Sequence, residues 1–254
     1  MRTIAALVSL ITVGCAQSVD FVGAAGPVQT VTGNLYRPEG TGPSPAMVLL
    51  HTCAGPRPHV SDWATWLKAE GYVALAVDSF SPRHVVSRCD GPGEPTVGQV
   101  AGDAGGALAY LHSLPFVDGD RVGVMGWSYG AMAALTVASG YPMREPQAAT
   151  FRLAVGFYPH CGYFMSRPTM PVLLLLGAAD DETPPALCED RAKDFVQDGR
   201  TVVWKVYPGA THAFDMAELG GGTRIIRGYT YRYDPAARAD AMVQVRTFLA
   251  QYLR

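Results

Sequence analysis

Val122-Gly123-Val124-Met125-Gly126-Trp127-Ser128-Tyr129-Gly130-Ala131-Met132-Ala133-Ala134-Leu135 is the stretch on which the fold turns. Arg121 to Met125 has the composition of a short buried strand, and Ala131 to about Ser139 that of a helix built from small residues. Only Gly126-Trp127-Ser128-Tyr129-Gly130, a G-x-S-x-G pentapeptide, stands between them. A strand that becomes a helix within so few residues strains the dihedrals of the central serine and leaves no space beside it. Gly126 and Gly130 supply that space by lacking a Cβ. The pentapeptide alone is a weak signal, and the strand before it and the helix after it give it meaning.

The same alternation extends outward in both directions. Upstream, Ala46 to Leu50 is a continuous apolar run, and a helix is expected near Ser61 to Glu70 with Ser61 as its N-cap. Tyr72 to Val77 is the next strand, and Val100 to Leu111 reads as a helix whose Gly102, Gly105 and Gly106 point to close packing. Downstream, Leu153 to Phe157, Val172 to Leu176 and Val202 to Val206 are strands, with helices over Pro184 to Gln197 and Pro235 to Tyr252. Before all of these, Val19 to Tyr36 carries short β-type stretches broken by Gly23, Gly26-Pro27 and Gly33, an antiparallel lead-in to the sheet. Apolar strands alternating with helices define an α/β fold: a mostly parallel central sheet with helices on both faces. No linker divides the chain, so residues 17–254 read as one domain.

In a parallel sheet the C-terminal ends of the strands share one edge, where ligands bind. Ser128 lies at such an end and at a helix N-terminus, whose amide dipoles favour developing negative charge. Past the Val172 strand, Gly177-Ala178-Ala179-Asp180 supplies a carboxylate, and past the Val202 strand, Tyr207-Pro208-Gly209-Ala210-Thr211-His212 supplies an imidazole. Nucleophile, acid and base thus follow in the order Ser, Asp, His. Asp181 is the neighbouring alternative for the acid; Asp180 is nearer the strand end. Two backbone amides are needed to hold an oxyanion. Tyr129 follows the nucleophile, and Cys53 sits in the loop His51-Thr52-Cys53-Ala54-Gly55 after the Ala46 strand. His51 reads as a brace for that loop. Arg57, His59, Trp127 and Phe214 are candidates for the pocket wall, with a scaffold role the alternative for each. The long segment from Asp215 to Asp234, with Gly220-Gly221-Gly222 and alternating Tyr229, Tyr231 and Tyr233, is either a lid or a surface loop packed on the core.

Taken together, His51-Thr52-Cys53-Ala54-Gly55, Asp78-Ser79-Phe80, Gly126-Trp127-Ser128-Tyr129-Gly130, Leu176-Gly177-Ala178-Ala179-Asp180 and Tyr207 to Phe214 resemble the dienelactone hydrolase family over nearly all of the mature chain. The resemblance implies a monomeric α/β-hydrolase acting on small-molecule esters or lactones without a cofactor. Ser128 stands where the best-known member has a cysteine, while Asp180 and His212 match its acid and base. Thr52 replaces a glutamate of the oxyanion loop, and Met216 replaces a substrate-binding arginine. Arg83 lies near the family's other substrate arginine. Rival readings on the same fold are a peptidase or an acyltransferase, and from another class a non-catalytic binding protein.

The first residues read differently from the rest. Met1-Arg2 carries a positive charge, Ile4 to Val13 is almost wholly apolar, and Gly14, Cys15 and Ala16 are small. This is the pattern of an export signal over residues 1–16, too short to remain as a membrane span. Cleavage after Ala16 competes with lipidation at Cys15, because Thr12-Val13-Gly14-Cys15 resembles a lipobox. The mature protein is then periplasmic or an outer-membrane lipoprotein; the alternative is a cytoplasmic protein whose first strand is apolar. Export leaves Cys53, Cys89, Cys161 and Cys188 of the five cysteines. The order of strands favours the pairs Cys53–Cys89 and Cys161–Cys188, both near the active edge. With no C-x-x-C spacing and no histidine placed to complete a zinc site, metal binding is not expected. A formal net charge of -2 and the lack of any run of like charge give no support to a nucleic-acid partner.

Overall fold

A computed structural model describes residues 16–23, 30–140, 150–164 and 166–253. The export signal expected over 1–16 and the lipidation site at Cys15 lie outside them, apart from Ala16. Strand β1 (Gln17–Val22) pairs antiparallel with β2 (Thr30–Tyr36), the expected lead-in. Next in sequence come β3 (Ser44–Leu50), helix α1 (Pro58–Ala69), β4 (Val73–Asp78) and α2 (Val97–His112). The elbow joins β5 (Val117–Trp127) to α3 (Tyr129–Ala138), followed by β6 (Ala154–Phe157), β7 (Val172–Gly177), α4 (Ala186–Gln197) and β8 (Val202–Tyr207). A small hairpin, β9 (Arg224–Ile226) with β10 (Tyr229–Tyr231), precedes the closing helix α5 (Pro235–Tyr252). Eight strands form one sheet in the order β1-β2-β4-β3-β5-β6-β7-β8, parallel from β4 to β8.

The continuous apolar runs follow from burial on both faces. Along β3, Ala46, Val48 and Leu50 face the core shared with α2, α3 and α4, while Met47 and Leu49 face the core shared with α1 and α5. Every one of these side chains is essentially inaccessible to water. At about 1.5–3 kcal/mol for each larger side chain buried, such strands are held by their own hydrophobicity on both sides.

Helices α1 and α2 start about a turn earlier than the sequence reading has them, and the starts of α3 and α4 differ from it by two residues. Helix α1 begins at Pro58 with Arg57 as N-cap, not at Ser61. A proline at the first helical position has its φ already set and no amide to waste, so the helix starts a turn earlier. Helix α2 begins at Val97 because Thr96 and Gln99 close a capping box: the Gln99 amide donates to Thr96 Oγ1 at 3.2 Å, and the Thr96 amide to Gln99 Oε1 at 2.7 Å.

Disulfides join Cys53 to Cys89 and Cys161 to Cys188, with Cα separations of 4.9 and 5.1 Å. Paired bonds of this kind belong to the oxidising surroundings of an exported protein rather than to the cytoplasm. No helix among the described residues is long and apolar enough to cross a membrane.

Arg83, expected near the substrate, belongs instead to the scaffold. Its guanidinium donates from Nη1 to Asp103 Oδ2 at 2.7 Å and from Nη2 to Oδ1 at 2.9 Å, and Nη1 also reaches the Ser79 carbonyl at 2.7 Å. The Asp103 carboxylate is fully buried, so its charge has to be met inside the protein, and α2 brings it to the turn after β4. Replacement of Arg83 by Met is therefore expected to lower the unfolding free energy by about 3 kcal/mol or more. Urea unfolding checks this through the midpoint at constant slope; a midpoint equal to wild type would contradict it.

Candidate active site

Ser128 occupies φ 49° and ψ −110°, a left-handed geometry that costs a non-glycine residue about 1–3 kcal/mol. Packing holds it there. A Cβ on Gly126 would stand 2.2 Å from the Gly130 carbonyl oxygen, and one on Gly130 would stand 2.1 Å from the Leu50 carbonyl oxygen. No side chain fits at either position without moving β3 or α3 away from the turn. The Ser128 amide donates to the Phe157 carbonyl at 2.9 Å, which ties the elbow to β6. Its hydroxyl is left pointing at the edge where the parallel strands end.

The loops after β7 and β8 reach that edge together. The Ala178 amide donates to the Tyr207 carbonyl at 3.0 Å and the Ala179 amide to the Ala210 carbonyl at 2.9 Å, so the two loops hold each other in register. Asp180 Oδ2 lies 2.8 Å from His212 Nδ1, and His212 Nε2 lies 3.0 Å from Ser128 Oγ. All three side chains are buried. Asp180 Oδ1 accepts the amides of Glu182 and Thr183 at 3.0 and 2.8 Å, which fixes the carboxylate. An acceptor at Nδ1 keeps the proton there and turns the Nε2 lone pair toward the serine. Asp181 is exposed and faces elsewhere: it accepts the Thr230 amide and hydroxyl, bonds that hold its carboxyl below the usual range. Its partner is the hairpin, not the histidine.

The loop after β3 is braced from behind by His51. Its Nδ1 lies 2.7 Å from the Thr52 carbonyl, and its Nε2 accepts the Ser79 amide at 3.3 Å. Burial pulls the ring below the ordinary histidine range, which suits a neutral strut that donates on one side and accepts on the other. Cys53 is held by its disulfide and by the Arg88 amide, which donates to the Cys53 carbonyl at 2.7 Å. Tyr129 opens α3, so its amide has no acceptor within the helix.

A cavity of about 410 Å³ opens over Ser128 and His212, a size suited to a small organic molecule. Arg57 lines it, together with Glu182, Glu218, Arg224 and Arg227. His59, Trp127 and Phe214 do not. All three are fully buried beneath the floor, where His59 packs edge-on against Trp127 and bonds Glu218 Oε1 at 3.2 Å. Burial alone would raise the Glu218 carboxyl, but the hydrogen bonds from His59 and from the Glu218 backbone, with the attraction of the His59 ring, together hold it below its ordinary range. Under the same floor lies Asp215, a buried carboxylate outside the sequence reading. It accepts Trp63 Nε1 at 2.8 Å, Trp127 Nε1 at 2.9 Å and the Tyr158 hydroxyl at 2.7 Å. The segment 215–234 folds over the cavity as a one-turn helix and the β9–β10 hairpin, contributing Met216, Leu219, Ile226 and Tyr231 to its wall.

The model of the "Dienelactone hydrolase family" matches residues 31–253. The chain belongs to the dienelactone hydrolase family. Membership makes it an ester- or lactone-hydrolysing enzyme on the α/β-hydrolase fold. It is 26% identical over 225 residues to a "Probable 2-oxo-3-(5-oxofuran-2-ylidene)propanoate lactonase" of Bradyrhizobium, covering 78% of this chain and 84% of that one. A "Putative carboxymethylenebutenolidase" of Methylorubrum extorquens is 27% identical over 206 residues, covering 74% and 70%. The crystal structure of a putative dienelactone hydrolase from Klebsiella pneumoniae superposes with a TM-score of 0.73 at 20% identity, over 94% of this chain and all of that one.

The two adjacent aspartates give a direct comparison within this family member. Asp180→Asn is expected to lower kcat on a nitrophenyl ester by on the order of 10⁴, since an amide no longer fixes the productive tautomer. Asp181→Asn should stay within about tenfold of wild type, because Asp181 holds only the hairpin. Equal losses in the two variants, by steady-state kinetics, would contradict this assignment.

Proposed function

We propose that the enzyme cleaves carboxylic esters or lactones through an acyl-enzyme on Ser128, with His212 as general base and Asp180 orienting it. The observation that carries this reading is the continuous chain of 2.8 and 3.0 Å contacts from Asp180 through His212 to Ser128, at the base of the cavity. His212 Nε2 takes the Ser128 proton as Oγ bonds the substrate carbonyl carbon. The carbonyl electron pair moves to oxygen, where the amides of Tyr129 and Cys53 hold it. Collapse expels the alkoxide, which takes the proton back from His212, and water then frees the acyl group by the same route. For a lactone the leaving alkoxide stays tethered to the acyl part. The relatives' names, a lactonase and a carboxymethylenebutenolidase, agree with this chemistry.

The same reading treats residues 17–254 as one catalytic domain behind an export signal, with the mature enzyme periplasmic or anchored to the outer membrane through Cys15. Ser128→Ala, folded by circular dichroism, is expected to lose nitrophenyl-ester turnover by on the order of 10⁴ or more. A panel of esters, lactones and peptides should show turnover of the first two classes only. An active Ser128→Ala variant would overturn the nucleophile, and cleavage confined to peptides would favour a peptidase.

A further inference from the structure

The catalytic histidine has a carboxylate near each ring nitrogen. Asp180 bonds Nδ1, while Glu182 Oε2 lies 3.6 Å from Nε2, the nitrogen that faces Ser128. The Glu182 side chain lines the cavity and is only 15% exposed. A separation of 3.6 Å exceeds a hydrogen bond, so Glu182 does not take the Nε2 proton, yet it is short enough for strong attraction to a positive ring. Two groups of the hairpin hold the carboxylate at this remove. The Tyr231 hydroxyl donates to Glu182 Oε2, and Arg227 Nη1 lies 3.5 Å from Oε1. Burial, and then the bond to Glu182, push the Tyr231 phenol far above its ordinary pKa, so it remains a donor at working pH.

The geometry points to Glu182 as a catalytic residue that stabilises the His212 imidazolium formed when Ser128 attacks, with Tyr231 and Arg227 as positioning residues. The step balances simply. The Ser128 proton moves to Nε2, the oxygen bonds the carbonyl carbon, the carbonyl pair becomes an oxyanion, and the ring gains the positive charge that Glu182 faces. Tyr231 is what makes a second carboxylate tolerable. A glutamate free to close on Nε2 would capture the imidazolium proton and withhold it from the leaving group. The hairpin thus takes part in the chemistry as well as roofing the cavity.

The groups around His212 come from every side: Asp180, Asp181, Glu182 and the Thr183 hydroxyl from the loop after β7, and Ser128 from the elbow. The Tyr158 ring, 4.6 Å away and bonded to Asp215, comes from the end of β6, and Tyr231, 5.7 Å away, from the hairpin. Glu182 places its negative charge beside Nε2, on the serine side, while Glu218, which also lines the cavity, is bonded to His59. A nearby negative charge favours the protonated ring, and a histidine base works only when neutral. Removing the charge therefore moves the acid limb of activity to lower pH, while the plateau falls because the transition-state imidazolium loses its partner.

The test is the pH profile of kcat/KM for a nitrophenyl ester. Glu182→Gln should shift the acid limb down by about one pH unit and lower the plateau by about tenfold. Tyr231→Phe, a conservative change at the surface hairpin, should shift the limb the other way, because Glu182 is freed toward Nε2, and should also slow turnover. These opposite shifts separate the role from a structural one, which would lower the plateau and leave the limb in place. A limb unmoved in Glu182→Gln, or in Tyr231→Phe if the first variant folds poorly, would overturn the inference. The inference rests on His212 acting as base to Ser128. An active Ser128→Ala variant would sink that reading, whereas an unmoved limb with an inactive Ser128→Ala sinks only the role of Glu182.

Discussion

Between Met125 and Ala131 the backbone passes from strand to helix with Ser128 at a positive φ, and the surrounding atoms leave it no alternative path. The Gly130 Cα lies so close to the Leu50 carbonyl, and the Gly126 Cα to the Gly130 carbonyl, that each position admits hydrogen alone. This contact presses α3 against β3 and β5 and sets Ser128 at the centre of the sheet. The rest of the site is built around that fixed point. Loops from strands further along the sheet bring Asp180 and His212 to it, and the loop after β3 brings Cys53 to the same cavity.

Polar groups buried around this point are met inside the protein. Asp215 gathers the indole donors of Trp63 and Trp127 and the Tyr158 hydroxyl, so three large aromatic side chains beneath the cavity are oriented by one carboxylate. A buried indole or phenol without an acceptor would cost about 1–3 kcal/mol, and an isolated buried carboxylate more. Trp127 precedes Ser128 and the Tyr158 ring packs tilted against His212, so this floor steadies both side chains. The Cys53–Cys89 disulfide does similar work at the rim. It ties the loop after β3 to the segment that carries Asp90, which pairs with Arg227 of the hairpin at 3.2 Å.

The parallel sheet was legible because its strands are buried on both faces and therefore read as unbroken apolar runs. The elbow at Ser128 was legible because its turn demands glycine on either side. Asp180 and His212 followed from their places just past strand ends, and the cysteine pairs from the order of the strands. What escaped the sequence was set by side-chain direction and by partners distant along the chain. Arg83, His59 and Trp127 carry atoms suited to binding, but their partners Asp103, Glu218 and Asp215 draw them beneath the surface, and Phe214 packs against Phe157, Tyr158 and Tyr207. Glu182 and Arg227 left no local signal, since their importance arises only when the hairpin folds over His212. The start of α1 was misplaced because Ser61 looks like a cap, whereas Pro58 had already fixed the first turn.

Activation of Ser128 by His212 is the step on which the proposed chemistry depends. Mass spectrometry of the protein treated with a fluorophosphonate tests it most directly, with the site located by peptide mapping. A single adduct on Ser128, absent when His212 is replaced by Ala in a folded protein, is the expected result. An adduct on another residue, or labelling of Ser128 that proceeds equally fast without His212, would contradict the account.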